Sequence, residues 1–449
     1  MYDVFSLPDF SFPEGFLWGS ASAGHQVEGD NIHSDAWHQE QKDKREEPSG
    51  KACDNWRLFR EDAQLVASLG HQAYRYSVEW SRVEPEEGRF DQSALDHYKE
   101  MSELFKQLGI RTFVTLNHFT VPQWFAAKGG FWKRENLPYF LRYAEKVVKT
   151  LTGLADFYLV LNESTHTRID TQLGFNHLVA HAKTYRLIKS LCDVPVSSAH
   201  MATQTFPYRY YDELDRVMAA YRDFQYNGCF LHAIATGELI SPFGEAEECP
   251  ELKGAADYWA VNLYTRELVD SRRKELSAPR FPHKKLRMID KDFYLEEMYP
   301  EGMTAMLERF RDKPIYITEN GCSCNDDRFR IVYLALYLSA VHDALRRGMD
   351  VRGYLYWSLM DNYEWSSFLP RFGLVNVDFR SFERTPKPSA AFFREIIENN
   401  GFSQEILRKY LHELPTLETV ASEEGCRAEL IQAPGRRGQP RFSGAGCRG

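Results

Sequence analysis

Apolar runs of five to eight residues recur along this chain, and between them apolar side chains return every three or four positions. The short runs are Phe16–Ser20, Ala73–Val78, Arg111–Leu116, Ala155–Leu161, Pro195–His200, Tyr258–Tyr264, Pro314–Thr318 and Val351–Ser358. Runs of this length, rich in β-branched and aromatic residues, predict strands; the spaced pattern predicts amphipathic helices. Helical patterns cover Trp56–Leu69, Asp91–Leu108, Leu137–Thr152, Phe175–Leu191 and Ile331–Arg347. Strand and helix in alternation give parallel βαβ units rather than a sandwich. Eight of them predict an α/β fold, a single (β/α)8 TIM barrel. No short repeat period appears, which excludes a solenoid.

The pattern changes near Gly401. Ile406–Leu414 predicts one more short helix, and Gln432–Gly449 is rich in Gly, Pro and Arg, a composition that predicts disorder. The expected organisation is a barrel over residues 1–402 and an extension over 403–449. The five arginines after residue 425 have a single aromatic, Phe442, among them, which makes the tail a weak nucleic-acid signature.

Composition narrows the function. Among 449 residues, 43% are hydrophobic and 14% aromatic, and the net charge is -9. That balance supports a large core and argues against a nucleic-acid partner. No uninterrupted apolar run reaches membrane-spanning length, so no membrane partner is expected. The first residues lack the basic-then-apolar pattern of a signal peptide, and a cytoplasmic protein is expected. Eight scattered cysteines do not form a disulfide framework and are expected reduced. Asn162-Glu163-Ser164 matches a glycosylation acceptor, but a chain that is not exported would never be glycosylated there.

Chemistry collects at the ends of the predicted strands. They read Asn117-His118, Asn162-Glu163, Asn262-Leu263-Tyr264, Glu319-Asn320 and Trp357 onward to Glu364-Trp365. Barrel enzymes carry their active residues at the C-terminal strand ends. A barrel would bring Glu163 and Glu319 together there, and paired carboxyls are the equipment of glycoside hydrolysis. One must be protonated and the other ionised, so their surroundings must differ. Arg75, inside the second strand, would hold Glu319 ionised, and Tyr264 would donate a hydrogen bond to it. Glu163 would lack such a partner and keep its proton as the acid. Asn162 would bond the sugar 2-hydroxyl. Each feature alone has an ordinary alternative: a solvated glutamate, a snorkelling arginine, core aromatics. Their coincidence on one face points to a site.

The segments FPEGFLWGSASAGHQVEGD (12–30), YRYSVEWSRVEPEEGRFD (74–91), VTLNHFTVPQWF (114–125), LNES (161–164), YITENG (316–321), GYLYWSLMDNYEW (353–365) and RFGLVNVDF (371–379) resemble family 1 of the glycoside hydrolases, the β-glucosidases and β-glycosidases. The resemblance runs to about residue 400. It implies a retaining β-glycosidase for small β-glycoside or oligosaccharide substrates, with no cofactor and no metal. It implies Glu319 as nucleophile and Glu163 as general acid/base. It further implies Gln26, His118, Asn162 and Glu364 at the sugar hydroxyls, Trp357 and Trp365 as an aromatic platform, and Arg75 and Tyr264 around the nucleophile.

Three features depart from the family pattern. Ser164 replaces the usual proline, Phe119 stands where many members have tryptophan, and the segment after Ser164 is short, which would leave the leaving-group side open. Two alternatives share the barrel: a 6-phospho-β-glycosidase, which Glu364 would oppose by charge, and a catalytically weak sugar-binding protein, which usually lacks one of the two glutamates. Glucose, galactose and fucose are not distinguished, and neither the aglycone nor the oligomeric state is legible. His177 and His181 have metal-ligand spacing, but helix packing accounts for them better; Cys322 and Cys324 are expected as loop thiols.

Overall fold

The computed structural model describes residues 3–43, 47–164, 172–241, 244, 246–274, 276, 287–289 and 295–415. The expectations for the segment just after Ser164 and for the Gln432–Gly449 tail lie outside the described residues. Eight strands form a closed barrel: β1 (Leu17–Ala21), β2 (Ala73–Ser77), β3 (Arg111–Asn117), β4 (Phe157–Asn162), β5 (Val196–Met201), β6 (Trp259–Asn262), β7 (Ile315–Asn320) and β8 (Val351–Trp357). Every neighbouring pair is parallel, and neighbours follow chain order all the way round. All eight fall where the apolar runs place them.

Strand alternation sorts side chains to two cores. On β2, Ala73 faces the barrel interior, while Tyr74 and Tyr76 join the core between barrel and helices. The interior is filled at its lower end by Phe113, Phe157, Tyr258 and Tyr316, with Phe113 and Phe157 stacked at 4.2 Å between centroids. This aromatic plug makes the barrel a packed core rather than a pore. It closes the floor beneath whatever sits at the C-terminal mouth.

The outer helices include Asn55–Ser68, Gln92–Gln107, Leu137–Thr150, Gln172–Leu191 and Asp327–Arg346. Asp91 and Asp326 cap two of them by accepting backbone N–H bonds in the first turn. Between β5 and β6 the pattern had shown no element, yet Glu213–Asp223 and Cys229–Thr236 form helices joined by the π-turn Phe224–Gly228. Beyond the barrel rim, Gln204–Pro207 and Arg266–Val269 pair in parallel. The chain past residue 402 stays in the same fold. Phe10–Ser11 pairs with Gly401–Phe402, and the helix Gln404–Tyr410 buries Ile406 and Leu407, followed by Leu411, in the main core. Among the described residues no helix is long and apolar enough to cross a membrane.

Candidate active site

Arg75 is the hub of the barrel mouth. Alternation along β2 turns it inward, and it has no exposed surface. A buried guanidinium must have its donors met. Its Nη1 donates to Glu319 Oε1 at 2.6 Å and its Nη2 to Asn162 Oδ1 at 2.6 Å. Its Nε donates to Thr115 Oγ1 at 3.1 Å, and Nη1 also faces the Thr318 carbonyl at 3.3 Å.

Local irregularities aim the other groups. The β4–β5 register shifts between Leu159 and Asn162, the β6–β7 register between Val261 and Asn262, and the β7–β8 register between Ile317 and Asn320. Such bulges put two successive residues opposite one and re-aim side chains. On β7, neighbouring Thr318 and Glu319 both reach the mouth network: Thr318 Oγ1 donates to Asn262 Oδ1 at 2.7 Å, and Glu319 meets Arg75. Two residues beyond Glu319, Gly321 is required by space. A Cβ there would lie 1.7 Å from the Trp357 carbonyl oxygen.

The two carboxyls occupy unequal surroundings. Glu319 accepts from Arg75 and, at 2.6 Å, from the Tyr264 hydroxyl. Glu163 accepts from the Asn262 amide at 3.0 Å. Among the described residues Glu163 has no guanidinium or phenol bonded to it; its partner is neutral, because the bulge at Asn262 places that amide between the two glutamates. Burial, then the charge of Glu319, push the Glu163 carboxyl up to about 8. Burial also raises Glu319, but there the Arg75 charge and then the Tyr264 hydrogen bond pull against it.

A second group lies alongside. Gln26 Nε2 donates to Glu364 Oε2 and to Asn362 Oδ1, both at 3.0 Å. His118 stacks in parallel near Trp357 and Trp365, with centroids 5.7 and 6.2 Å away, and its Nε2 is 3.3 Å from Asn162 Nδ2. Burial, then Arg75, hold its imidazole well below the usual value, so it is neutral. Phe119 meets Trp365 edge-on at 5.3 Å. Phe119, Glu163, Trp365 and Ser366 all have positive φ without being glycine. Left-handed residues gather at sites where the surroundings over-determine the backbone.

Arg75, His118, Asn162, Glu163, Tyr264 and Glu319 are thus joined by contacts, with Trp357 and Trp365 beside His118 and with Gln26 and Glu364 bonded to each other. Sequence reasoning passed over Asn262 and Asn362 as site members. Asn262 stood in a noted strand end, and that position was its signal; Asn362 had none. His181 is held by Ser198 and the Ala255 carbonyl, and His177 sits against Phe131. Cys322 and Cys324 lie in the loop after β7 and are buried in the main core, with the fully buried Arg330 facing the Cys324 carbonyl.

Known proteins resemble this chain in sequence and fold. A model of glycosyl hydrolase family 1 matches residues 9–175 and 170–402. Beta-glucosidase A of Acetivibrio thermocellus is 29% identical over 88% of this chain and 100% of its own length. A beta-galactosidase of Sulfolobus acidocaldarius is 28% identical over 91% and 99%. The structure of a beta-glycosidase from Pyrococcus horikoshii superposes with a TM-score of 0.81 at 36% identity, covering 91% of this chain and 99% of that one.

Proposed function

We infer the activity of this chain from its family: it belongs to glycosyl hydrolase family 1. It is a glycoside hydrolase of the β-glycosidase class. Within that class we propose a retaining β-glucosidase that releases terminal non-reducing β-linked glucose through a covalent glycosyl-enzyme. The unequal surroundings of the two glutamates carry this assignment. Glu319, between a guanidinium and a phenol, is the more easily ionised and attacks the anomeric carbon. Glu163, bonded to an amide, keeps its proton and gives it to the departing oxygen. Once the aglycone leaves, Glu163 is a carboxylate and takes a proton from water, which then attacks the anomeric carbon and frees Glu319.

The remaining residues serve binding. Asn162, its Oδ1 held by Arg75, presents its amide nitrogen toward the 2-hydroxyl. Gln26, His118 and Glu364 meet the other hydroxyls, and Trp357 and Trp365 pack on the ring. The relative named beta-galactosidase makes galactose the alternative glycone, and paired aryl β-glucoside and β-galactoside assays decide it.

The roles are tested by azide rescue. Glu319→Ala should lose nearly all hydrolysis, and azide should restore turnover of an activated β-glycoside with α-glycosyl azide as product. Glu163→Ala with azide should give the β-azide. Exchanged products would exchange the roles.

A further inference from the structure

The side-chain amide of Gln26 has a fixed orientation, and its cause lies outside the residues assigned to the sugar. Both Nε2 hydrogens are committed, one to Asn362 Oδ1 and one to Glu364 Oε2, each at 3.0 Å. Its Oε1 is buried and has no partner within the protein. An amide can be turned end for end, so something must hold it this way. Glu364 favours this orientation as a carboxylate. Asn362 favours it only if its own amide is fixed.

Asn362 is fixed from below. Its Nδ2 donates to the Met360 carbonyl at 3.1 Å and to Ser358 Oγ at 3.0 Å. Ser358 Oγ gives its own hydrogen to the same Met360 carbonyl at 2.8 Å, so it can only accept from Asn362. A backbone carbonyl accepts and never donates. The polarity therefore propagates in one direction: Met360 carbonyl, Asn362 nitrogen, Asn362 oxygen, Gln26 nitrogen, Gln26 oxygen. Reversing Asn362 would face two oxygens across 3.1 Å, and reversing Gln26 would turn its oxygen onto Glu364. Asn362 is itself 2% exposed, so water does not compete for these bonds.

We propose that Asn362 is a positioning residue that sets Gln26 as a hydrogen-bond acceptor toward the glycone, so that the sugar must offer a hydroxyl hydrogen there. This rests on the glycosidase assignment above. Its consequence is specificity: with Glu364 beside it, this side of the sugar pocket is built of acceptors. A substrate whose hydroxyl at that carbon is replaced by hydrogen leaves Gln26 Oε1 buried and unmet, and an unmet buried acceptor is costly.

The test compares kcat and KM for aryl β-glucoside with its 3-, 4- and 6-deoxy analogues. Asn362→Leu removes one of the two acceptors that hold Gln26 and leaves only the Glu364 bond to orient it. It should lower kcat/KM on the parent glucoside by about tenfold or more. On the one deoxy substrate that lacks the partner of Gln26, the loss should shrink to within about threefold. Gln26→Met should show the same substrate pattern, and adding Asn362→Leu to it should cost little more. Asn362→Asp, which still accepts from Gln26, should lie between the parent and Asn362→Leu. If Asn362→Leu does not fold, Asn362→Ala carries the same comparison. Equal losses on every substrate, or losses that add in the double variant, would assign Asn362 a purely structural role and overturn the proposal. Absence of any β-glycoside hydrolysis by the unaltered chain would instead overturn the glycosidase assignment.

Discussion

A carboxyl that holds its proton to about pH 8 is set by its neighbours rather than by its own chemistry. The ordinary value for Glu163 is 4.5; burial is the largest cause of the rise and the charge of Glu319 adds to it. The sign of each pH limb follows. With the proposed roles, activity needs Glu319 ionised and Glu163 protonated, so kcat/KM should rise as Glu319 loses its proton and fall as pH passes about 8. Removing the Glu319 charge must lower the Glu163 value. In Glu319→Gln, a carbon-13 titration of Glu163 should give a midpoint below that of the unaltered protein; an unchanged or higher midpoint would refute the coupling. Stability carries the same signature. The folded state holds this proton where the unfolded chain has released it, so stability is lost as pH rises from 4.5 through about 8. Glu163→Gln abolishes that loss, and its Tm advantage over the parent should be larger at pH 9 than at pH 5.

Strands were legible because burial on both faces writes each of them as an apolar run, and the run stops where the polar mouth begins. Their ends therefore located Glu163 and Glu319, and alternation alone turned Arg75 inward. The bulges were not legible. A one-residue shift leaves no mark on a strand only four to seven residues long, yet it decides that Thr318 and Glu319 both reach the mouth and that Asn262 lies between the glutamates. The helix Cys229–Thr236 escaped because it is short and apolar all round and so shows no stripe; Glu213–Asp223 carries Leu214, Val217, Met218 and Tyr221 at helical spacing, a signal that was present but passed over. Ser164 gains meaning at this scale. Glu163 has φ of 49°, and a proline at 164 would push the preceding residue toward extended backbone. Ser164→Pro, though it restores the family pattern, should cost more than ~1 kcal/mol of stability and lower kcat. Thermal denaturation with parallel kinetics measures both. A stabilised, fully active variant would show that the left-handed turn at Glu163 is dispensable.

Closing a barrel requires that its first and last strands meet, and here β1 and β8 pair over five residues from Leu17–Gly353 to Ala21–Trp357. The termini reinforce that closure from outside. Phe10 stacks on Phe402 at 5.0 Å and on His342 at 4.9 Å, and Trp18 Nε1 donates to Asn400 at 2.9 Å. Gln404 then ties back to the carbonyls of Val4 and Leu7 at 2.9 Å each. The helix Gln404–Tyr410 thus holds the N-terminal segment against the helix Asp327–Arg346, which follows β7. Composition alone placed the change of character near Gly401, but burial continues to Leu411, which is 1% exposed. Two truncations separate these descriptions. Ending the chain near residue 418 should leave kcat/KM and Tm unchanged, because every contact named here is retained. Ending it at residue 402 strips Ile406, Leu407 and Leu411 from the core, and large apolar truncations cost roughly 2–5 kcal/mol each. That shorter chain should fall in Tm by many degrees, with activity at low temperature lost only in proportion to the unfolded fraction, since no mouth residue is removed. A 402-residue chain as stable as the parent would show that the terminal helix rests on the barrel without supporting it, and a loss of activity on ending near 418 would assign the tail a part in the site.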